Sequence, residues 1–475
     1  MLKNHPKALI FIFFTEMWER VGFYTLMAIL VLYMDDILKW SDSRKGDWYG
    51  LFLALCYFVP LAGGWLGDRI LGRLKTVRSG AVLMALGYAG LALSSSSQIT
   101  TFVLGLLLIA VGTGIFKVNM SVLVGNIYQN RPELKDAGFN IYYMGVNLGA
   151  MIAPLIATLN NAVFHSYRLS FWVSAVGLVL ALIIFQLGKK YLSAADDYQQ
   201  EKNFLKEKIG EISGPDENSQ VQIQSEEENR KNQLDKEINL KRKSKFEPEE
   251  RKNKDLSNYR MDHQDQEFLA RVITLIILFI IVIFFWVAFY QNGFALTLFA
   301  ARSTIIKKWL RPETYQFFEP FFILVLTPLL LSLLGKLNQK GKEPSTPRKI
   351  LLGMLFMTGA MLIMIISSLK GGNLDKNIMS PFWLIGTYLV VTIAEILISP
   401  MGQSFVSKVA PAKIKGLMMG GWFAAIALGS YGSGLLGKFY SRFPHHQYFL
   451  LLAGLLSLAA ILVAVFLKKL ETFAR

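Results

Sequence analysis

The stretch Val272-Ile273-Thr274-Leu275-Ile276-Ile277-Leu278-Phe279-Ile280-Ile281-Val282-Ile283-Phe284-Phe285-Trp286-Val287-Ala288-Phe289 runs for eighteen residues without a charge. As a helix it rises about 27 Å, close to the roughly 30 Å hydrocarbon core of a bilayer. Immediately before it, over 189–267, the composition turns to Lys, Glu, Asp, Gln and Asn. That segment is too polar to bury a core and too charged to enter lipid, so it reads as a linker. Working outward, apolar runs bounded by charge, Gly or Pro predict helices near 8–34, 48–68, 77–96, 100–125, 138–160 and 168–188. After the linker they predict helices near 269–298, 315–337, 349–370, 380–405, 413–438 and 446–468. The pattern is six plus six. Of 475 residues 53% are hydrophobic and 18% charged, where soluble chains carry roughly a quarter charged. A soluble enzyme, a disordered chain and a disulfide scaffold are excluded; the composition is that of an all-α, multi-pass membrane protein.

The net charge of +16 follows from where Lys and Arg stand. They concentrate between the runs, at Lys3 and Lys7, Arg69 to Arg78, Arg131 and Lys135, Lys340 to Lys349, Lys413 and Lys415, and Lys468 and Lys469. With both termini and the linker on the cytoplasmic side, all of these face the cytoplasm, as the positive-inside bias requires. Arg302, Lys307, Lys308 and Arg311 run against the bias in an outer loop. No basic stripe interleaved with aromatics appears, so nucleic acid is not an expected partner. The single cysteine, Cys56, excludes an intrachain disulfide, and with five His it leaves no cluster of metal-ligand spacing. The first run carries Glu16, Glu19 and Arg20 and no small-residue cleavage site, which reads as a mature span and not a removed signal peptide.

Charges inside spans mark the candidate site, since each costs on the order of 2.5–3.5 kcal/mol at a helix centre on insertion scales. Spacings of three and four put Glu16, Glu19 and Arg20 on one face of the first helix. Arg20 can neutralise one carboxylate through bidentate hydrogen bonds, leaving the other able to take up a proton. Lys117 in the fourth span and Glu395 in the tenth each stand alone. Pairing across a central cavity would relieve both, and such a pair can close in one state and open in another. Gly63 and Gly67, like Gly145 and Gly149, have the spacing of close helix packing. Two nucleotide-like motifs fail. Gly432-Ser433-Gly434-Leu435-Leu436-Gly437-Lys438 is followed by Phe439 where Mg²⁺ binding needs Ser or Thr, and Gly112-Thr113-Gly114 lacks a third glycine and a preceding strand. No cofactor is expected, no Ser/His, paired-Asp or metal constellation suggests an enzyme, and energy must come from a gradient.

Glu16-x-x-Glu19-Arg20 resembles the ExxER motif on the first helix of the proton-dependent oligopeptide transporter (POT/PTR) family of the major facilitator superfamily. Gly63-Gly64-Trp65-Leu66-Gly67-Asp68-Arg69 is similar to the loop after that family's second helix. Gly112-Thr113-Gly114-Ile115-Phe116-Lys117-Val118-Asn119 resembles its GTGxFKPN segment, with Val118 for Pro. Phe139-Asn140-Ile141-Tyr142-Tyr143-Met144-Gly145-Val146-Asn147-Leu148-Gly149 is similar to the fifth-helix signature. Glu395-Ile396-Leu397-Ile398-Ser399-Pro400-Met401-Gly402 and Met418-Met419-Gly420-Gly421-Trp422-Phe423 resemble helices ten and eleven. Only the linker lies outside the resemblance.

The resemblance implies twelve transmembrane helices in two six-helix halves, 1–188 and 268–475, joined by a cytoplasmic linker, 189–267. It implies a substrate site between the halves near the bilayer midplane, exposed to each side in turn. It further implies a monomeric plasma-membrane symporter that imports di- and tripeptides with protons, the alternative being a proton-coupled carrier of a non-peptide organic anion or amine. Glu16, Glu19, Arg20 and Glu395 are then the proton-coupling residues, and Lys117 with Glu395 the gating pair. Substrate contacts fall to Arg20, Tyr24, Tyr57, Lys117, Asn147, Trp286, Gln316, Glu319, Glu395 and Trp422. Three positions depart from the family pattern. Met27 stands where a second arginine is usual and Tyr290 where an acid is common, so two opposite charges are lost together. Glu319 stands where Asn is usual and adds a carboxylate to the second half.

Overall fold

The computed structural model describes residues 5–196 and 263–472, which are helical almost throughout. In the first half the helices are α1 (Ala8–Asp36), α2 (Asp42–Leu66), α3 (Arg73–Leu93), α4 (Ile99–Asn126), α5 (Lys135–Phe164) and α6 (Tyr167–Leu187). In the second they are α7 (His263–Phe289), α8 (Phe318–Gln339), α9 (Thr346–Lys370), α10 (Pro381–Val409), α11 (Lys415–Gly437) and α12 (His445–Thr472). Local signals set several ends. Ser41 and Ser166 accept hydrogen bonds from Arg44 N and Leu169 N, closing the first turns of α2 and α6. Proline occupies an opening position of α9 and α10, where its missing N–H goes unused. Residues 197–262 lie outside the described ones, and with them most of the expected linker. The described residues up to Asp196 and from Leu269 onward form one compact unit.

Among the described residues, eleven segments are long and apolar enough to cross a membrane. The twelfth helix, α11, falls short in hydropathy and not in length: seven of its 23 residues are glycine. Gly421, Gly429 and Gly432 lie against α7, and Gly434 against α2, on which α11 also packs. At Gly434 a Cβ would strike the carbonyl of Gly46, so the two backbones meet where neither helix tolerates a side chain.

The expected continuous helix over 269–298 is broken. After Phe289 the chain turns through a 3-10 segment, Tyr290–Gly293, and resumes as the short helix Ala295–Arg302. The carbonyls released by the break are answered from elsewhere. Tyr49 OH donates to the Tyr290 carbonyl (2.7 Å). The Asn292 carbonyl accepts from Thr297 Oγ1 (2.9 Å), Gln316 Nε2 (3.0 Å) and Tyr388 OH (3.2 Å). Irregular backbone at membrane depth persists only with such partners or beside a cavity.

Within the first half α3 packs on α4 and α6, and α1 on α5 and α6; within the second, α9 packs on α10 and α12. Most of the described cross-half hydrogen bonds and ion pairs gather at one end, where α1 finishes and α2 starts. Arg302 donates to Asp35 (3.0 and 3.1 Å), to Asp42 (3.2 and 3.3 Å) and to Ser441 (3.0 Å). Lys45, fully buried, reaches Asp35 and Asp42, each at 2.5 Å. Lys438 pairs with Asp47, and Asn161 Nδ2 donates to Glu313 Oε1 at 2.9 Å. This supplies a physical reason for part of the basic outer loop: Arg302 is neutralised by two aspartates of the other half, and Arg311 by Glu313 at 3.6 Å. Away from that end, on α4, Lys117 is exposed.

Candidate functional site

A cavity of 190 Å³ lies between the halves. It is smaller than the roughly 300–1,000 Å³ of pockets for drug-sized ligands, and so suits a small solute. The first half contributes Phe23, Tyr24 and Met27 from α1, Leu53 and Tyr57 from α2, and Lys117 from α4. The second contributes Trp286 and Phe289 from α7, Tyr290 and Asn292 from the break, Gln316, Glu319 and Pro320 around the start of α8, and Glu395, Ser399 and Gln403 from α10. Phe423 and Ile426 of α11 complete the wall. A larger hollow of 510 Å³, between the α8–α9 loop and the ends of α10 and α12, has walls of paired charges. There Lys349 meets Glu343, and Arg348 meets Glu471 at 2.8 Å. It lies away from the charges embedded in the spans, and the smaller cavity is the candidate site.

Of the ten residues expected to meet substrate, seven line this cavity: Tyr24, Tyr57, Lys117, Trp286, Gln316, Glu319 and Glu395. Arg20, Asn147 and Trp422 do not. Trp422 is fully buried, its ring filling the space opened by Gly402, where a Cβ would strike it. Its neighbour Phe423, a helical step of about 100° away, faces the cavity instead. Asn147 Nδ2 donates to the Tyr143 carbonyl one turn back (3.0 Å). Sequence reasoning passed over Ser399 and Gln403, although they stand four and eight residues after Glu395 and so share its helix face.

Glu16, Glu19 and Arg20 sit behind the wall, 1%, 0% and 3% exposed. α5 can close over them because Gly149 lies against the Met17 carbonyl and Arg20 Cβ, leaving no room for a side chain. The bidentate pairing expected of Arg20 is replaced by a shared one. A single nitrogen, Nε, bonds Glu19 and lies 3.2 Å from Glu16 Oε1. Glu16 Oε2, Glu19 Oε1 and the second terminal guanidinium nitrogen have no hydrogen-bond partner. The guanidinium also stands 5.3 Å from the Phe23 ring centre, and Phe23 belongs to the cavity wall.

Lys117 and Glu395 both reach the cavity and, among the described residues, neither forms an ion pair. Lys117 Nζ lies over the Tyr57 ring at 5.7 Å, and Glu395 Oε2 has no hydrogen-bond partner. Where Met27 and Tyr290 stand, hydroxyls do the joining: Tyr290 OH donates to Tyr57 OH at 2.5 Å across the halves. One wall is thus cationic and the opposite wall anionic, with aromatic rings between them.

A sequence profile described as PTR2, the POT family, matches residues 74–451. The chain is 30% identical over 470 residues to the uncharacterized transporter YclF of Bacillus subtilis (strain 168), covering 94% of this chain and 90% of that one. It is 29% identical to dipeptide and tripeptide permease A of Escherichia coli (strain K12), covering 91% and 85%. A crystal structure of a point mutant of the peptide transporter POT in complex with alafosfalin superimposes with a TM-score of 0.79 at 27% identity, over 100% of this chain and 97% of that one. Helix order, cavity and profile agree, and the chain belongs to the POT family.

Proposed function

We propose that this protein carries di- and tripeptides into the cell together with protons, by alternating access. One observation carries the reading. The cavity presents Lys117 from one half and Glu319 and Glu395 from the other. A short peptide is a zwitterion whose carboxylate and ammonium are a few ångströms apart, so it can bridge two walls of opposite sign. Because the walls belong to different halves, a bound peptide replaces a missing cross-half ion pair, which couples occupancy to movement of the halves.

The Lys and Arg distribution supports cytoplasmic termini. In that orientation the end closed by Arg302, Asp35 and Asp42 faces outward and Lys117 lies open toward the cytoplasm, the arrangement of a release state. The helix-one cluster is the favoured proton carrier, because two buried carboxylates share one nitrogen of Arg20. Protonating either one leaves the pair matched to the single cation.

Proteoliposomes with an imposed pH gradient test both parts. Labelled dialanine is expected to accumulate when the outside is acidic. Glu16→Gln and Glu19→Gln are expected to abolish accumulation while internal and external peptide still exchange. Normal accumulation by both variants would remove the cluster from coupling. Absence of any peptide uptake by the natural chain would reject the substrate.

A further inference from the structure

We infer that Glu319 makes the cavity select peptides bearing a basic side chain, a refinement that rests on the peptide-carrier reading above. The cavity wall holds Lys117 as its cation and two carboxylates, Glu319 and Glu395, both from the second half. Among the described residues neither carboxylate forms an ion pair. The wall thus sets two acidic side chains against one basic one.

A neutral dipeptide cannot answer all three side chains. Its carboxylate answers Lys117 and its ammonium answers one glutamate, leaving the other bare in a low-dielectric site. A lysine or arginine side chain supplies the second cation. The geometry holds a place for it. Asn292 Nδ2 donates to Glu319 Oε2, and among the described residues Oε1 accepts no hydrogen bond. Asn292 is itself fixed through its carbonyl by Thr297, Gln316 and Tyr388, so the carboxylate is oriented from behind. Trp286 and Phe289 line the same wall and offer ring faces to an ammonium or guanidinium group. Trp286 is 4% exposed, and its Nε1 donor has no partner, so the wall also lacks an acceptor that a peptide carbonyl can bring.

The test compares alanyl-lysine with alanyl-norleucine, which differ by the terminal ammonium. In proteoliposomes the natural chain is expected to favour alanyl-lysine in kcat/KM by about tenfold, the scale of one retained charge pair in a partly buried site. Glu319→Gln should bring the ratio close to one, and Glu319→Asp should hold it between the two. A merely structural role for Glu319 would lower both uptakes together and leave the ratio unchanged. The thermal shift of the purified natural chain with each peptide reads the same preference without any substitution. Equal handling of the two peptides by the natural chain, or a ratio unchanged in Glu319→Gln, overturns the inference. If neither peptide is transported or bound, the peptide reading falls and takes this inference with it, an outcome distinct from lost selectivity.

Discussion

The sealed end and the cavity use the same kinds of residue in opposite states of pairing. At the sealed end Arg302, Lys45, Asp35 and Asp42 satisfy one another across the halves. In the cavity Lys117, Glu319 and Glu395 face one another's region without an ion pair. Charges that only hold helices together have no reason to remain unpaired, because an uncompensated charge at membrane depth is costly. Charges left open answer to something that arrives and leaves. The pairing state, more than the residue type, separates a lock from a binding wall.

The contrast can be broken most severely at the backbone contact beneath the lock. Gly434→Leu pushes a side chain into Gly46 and should prevent closure, costing more than the about 1–3 kcal/mol of ordinary overpacking because the obstacle is backbone. Spin labels on exposed Lys39 and Arg442 should then report a longer distance at that end, and uptake should be lost. An unchanged distance would show that this contact does not govern closure. Next comes Arg302→Gln. Removing one partner of a fully buried pair costs about 3–5 kcal/mol, but Arg302 is 21% exposed, so about 1–3 kcal/mol is expected. The same label pair should show the open population rising tenfold or more, in keeping with about 1.4 kcal/mol per decade.

Tyr290→Phe removes a neutral hydroxyl bond to Tyr57 and should cost about 0.5–1.5 kcal/mol, visible as a small rise in the open population. The smallest effect sharpens the comparison by acting within one half. Asp375 lies outside the spans and is paired with His445 (3.3 Å), whose hydrogen bond holds its carboxyl below the ordinary 3.8. A depressed carboxyl contributes stability that is fully present above its unfolded value and is lost as pH falls through the lower folded one. Asp375→Asn should therefore lower the Tm slightly at neutral pH, by under about 1 kcal/mol, and match the natural chain in strong acid. The label distance should not change. A shift there would mean that ion pairs of either kind set the opening.

The twelve helices were legible because long apolar runs and the charged segment between them are local properties. The break after Phe289 was not. Gln291-Asn292-Gly293 is a brief polar interruption in an apolar context, and what stabilises it comes from Tyr49, Gln316 and Tyr388, far away in sequence. The partners of Arg302 were hidden for the same reason, since Asp35 and Asp42 lie some 260 residues earlier. At the cavity, motif resemblance named ten residues, and seven of them line the wall. It missed the facing of Trp422 against Phe423, because one residue turns a helix by about 100° and only packing decides which side chain goes inward.

The glycines of α11 have a consequence for how the protein is made. A segment entering the membrane from the translocation machinery is admitted according to its apolar side chains, and glycine contributes little. The bare surface that lets α11 lie close to α2 and α7 therefore makes it the weakest inserting helix of the twelve. It emerges just ahead of α12, which is among the most apolar of the described spans. Synthesis arrested before α12 should leave α11 poorly inserted, so the seal between the halves is completed only when the last helix has followed it into the bilayer.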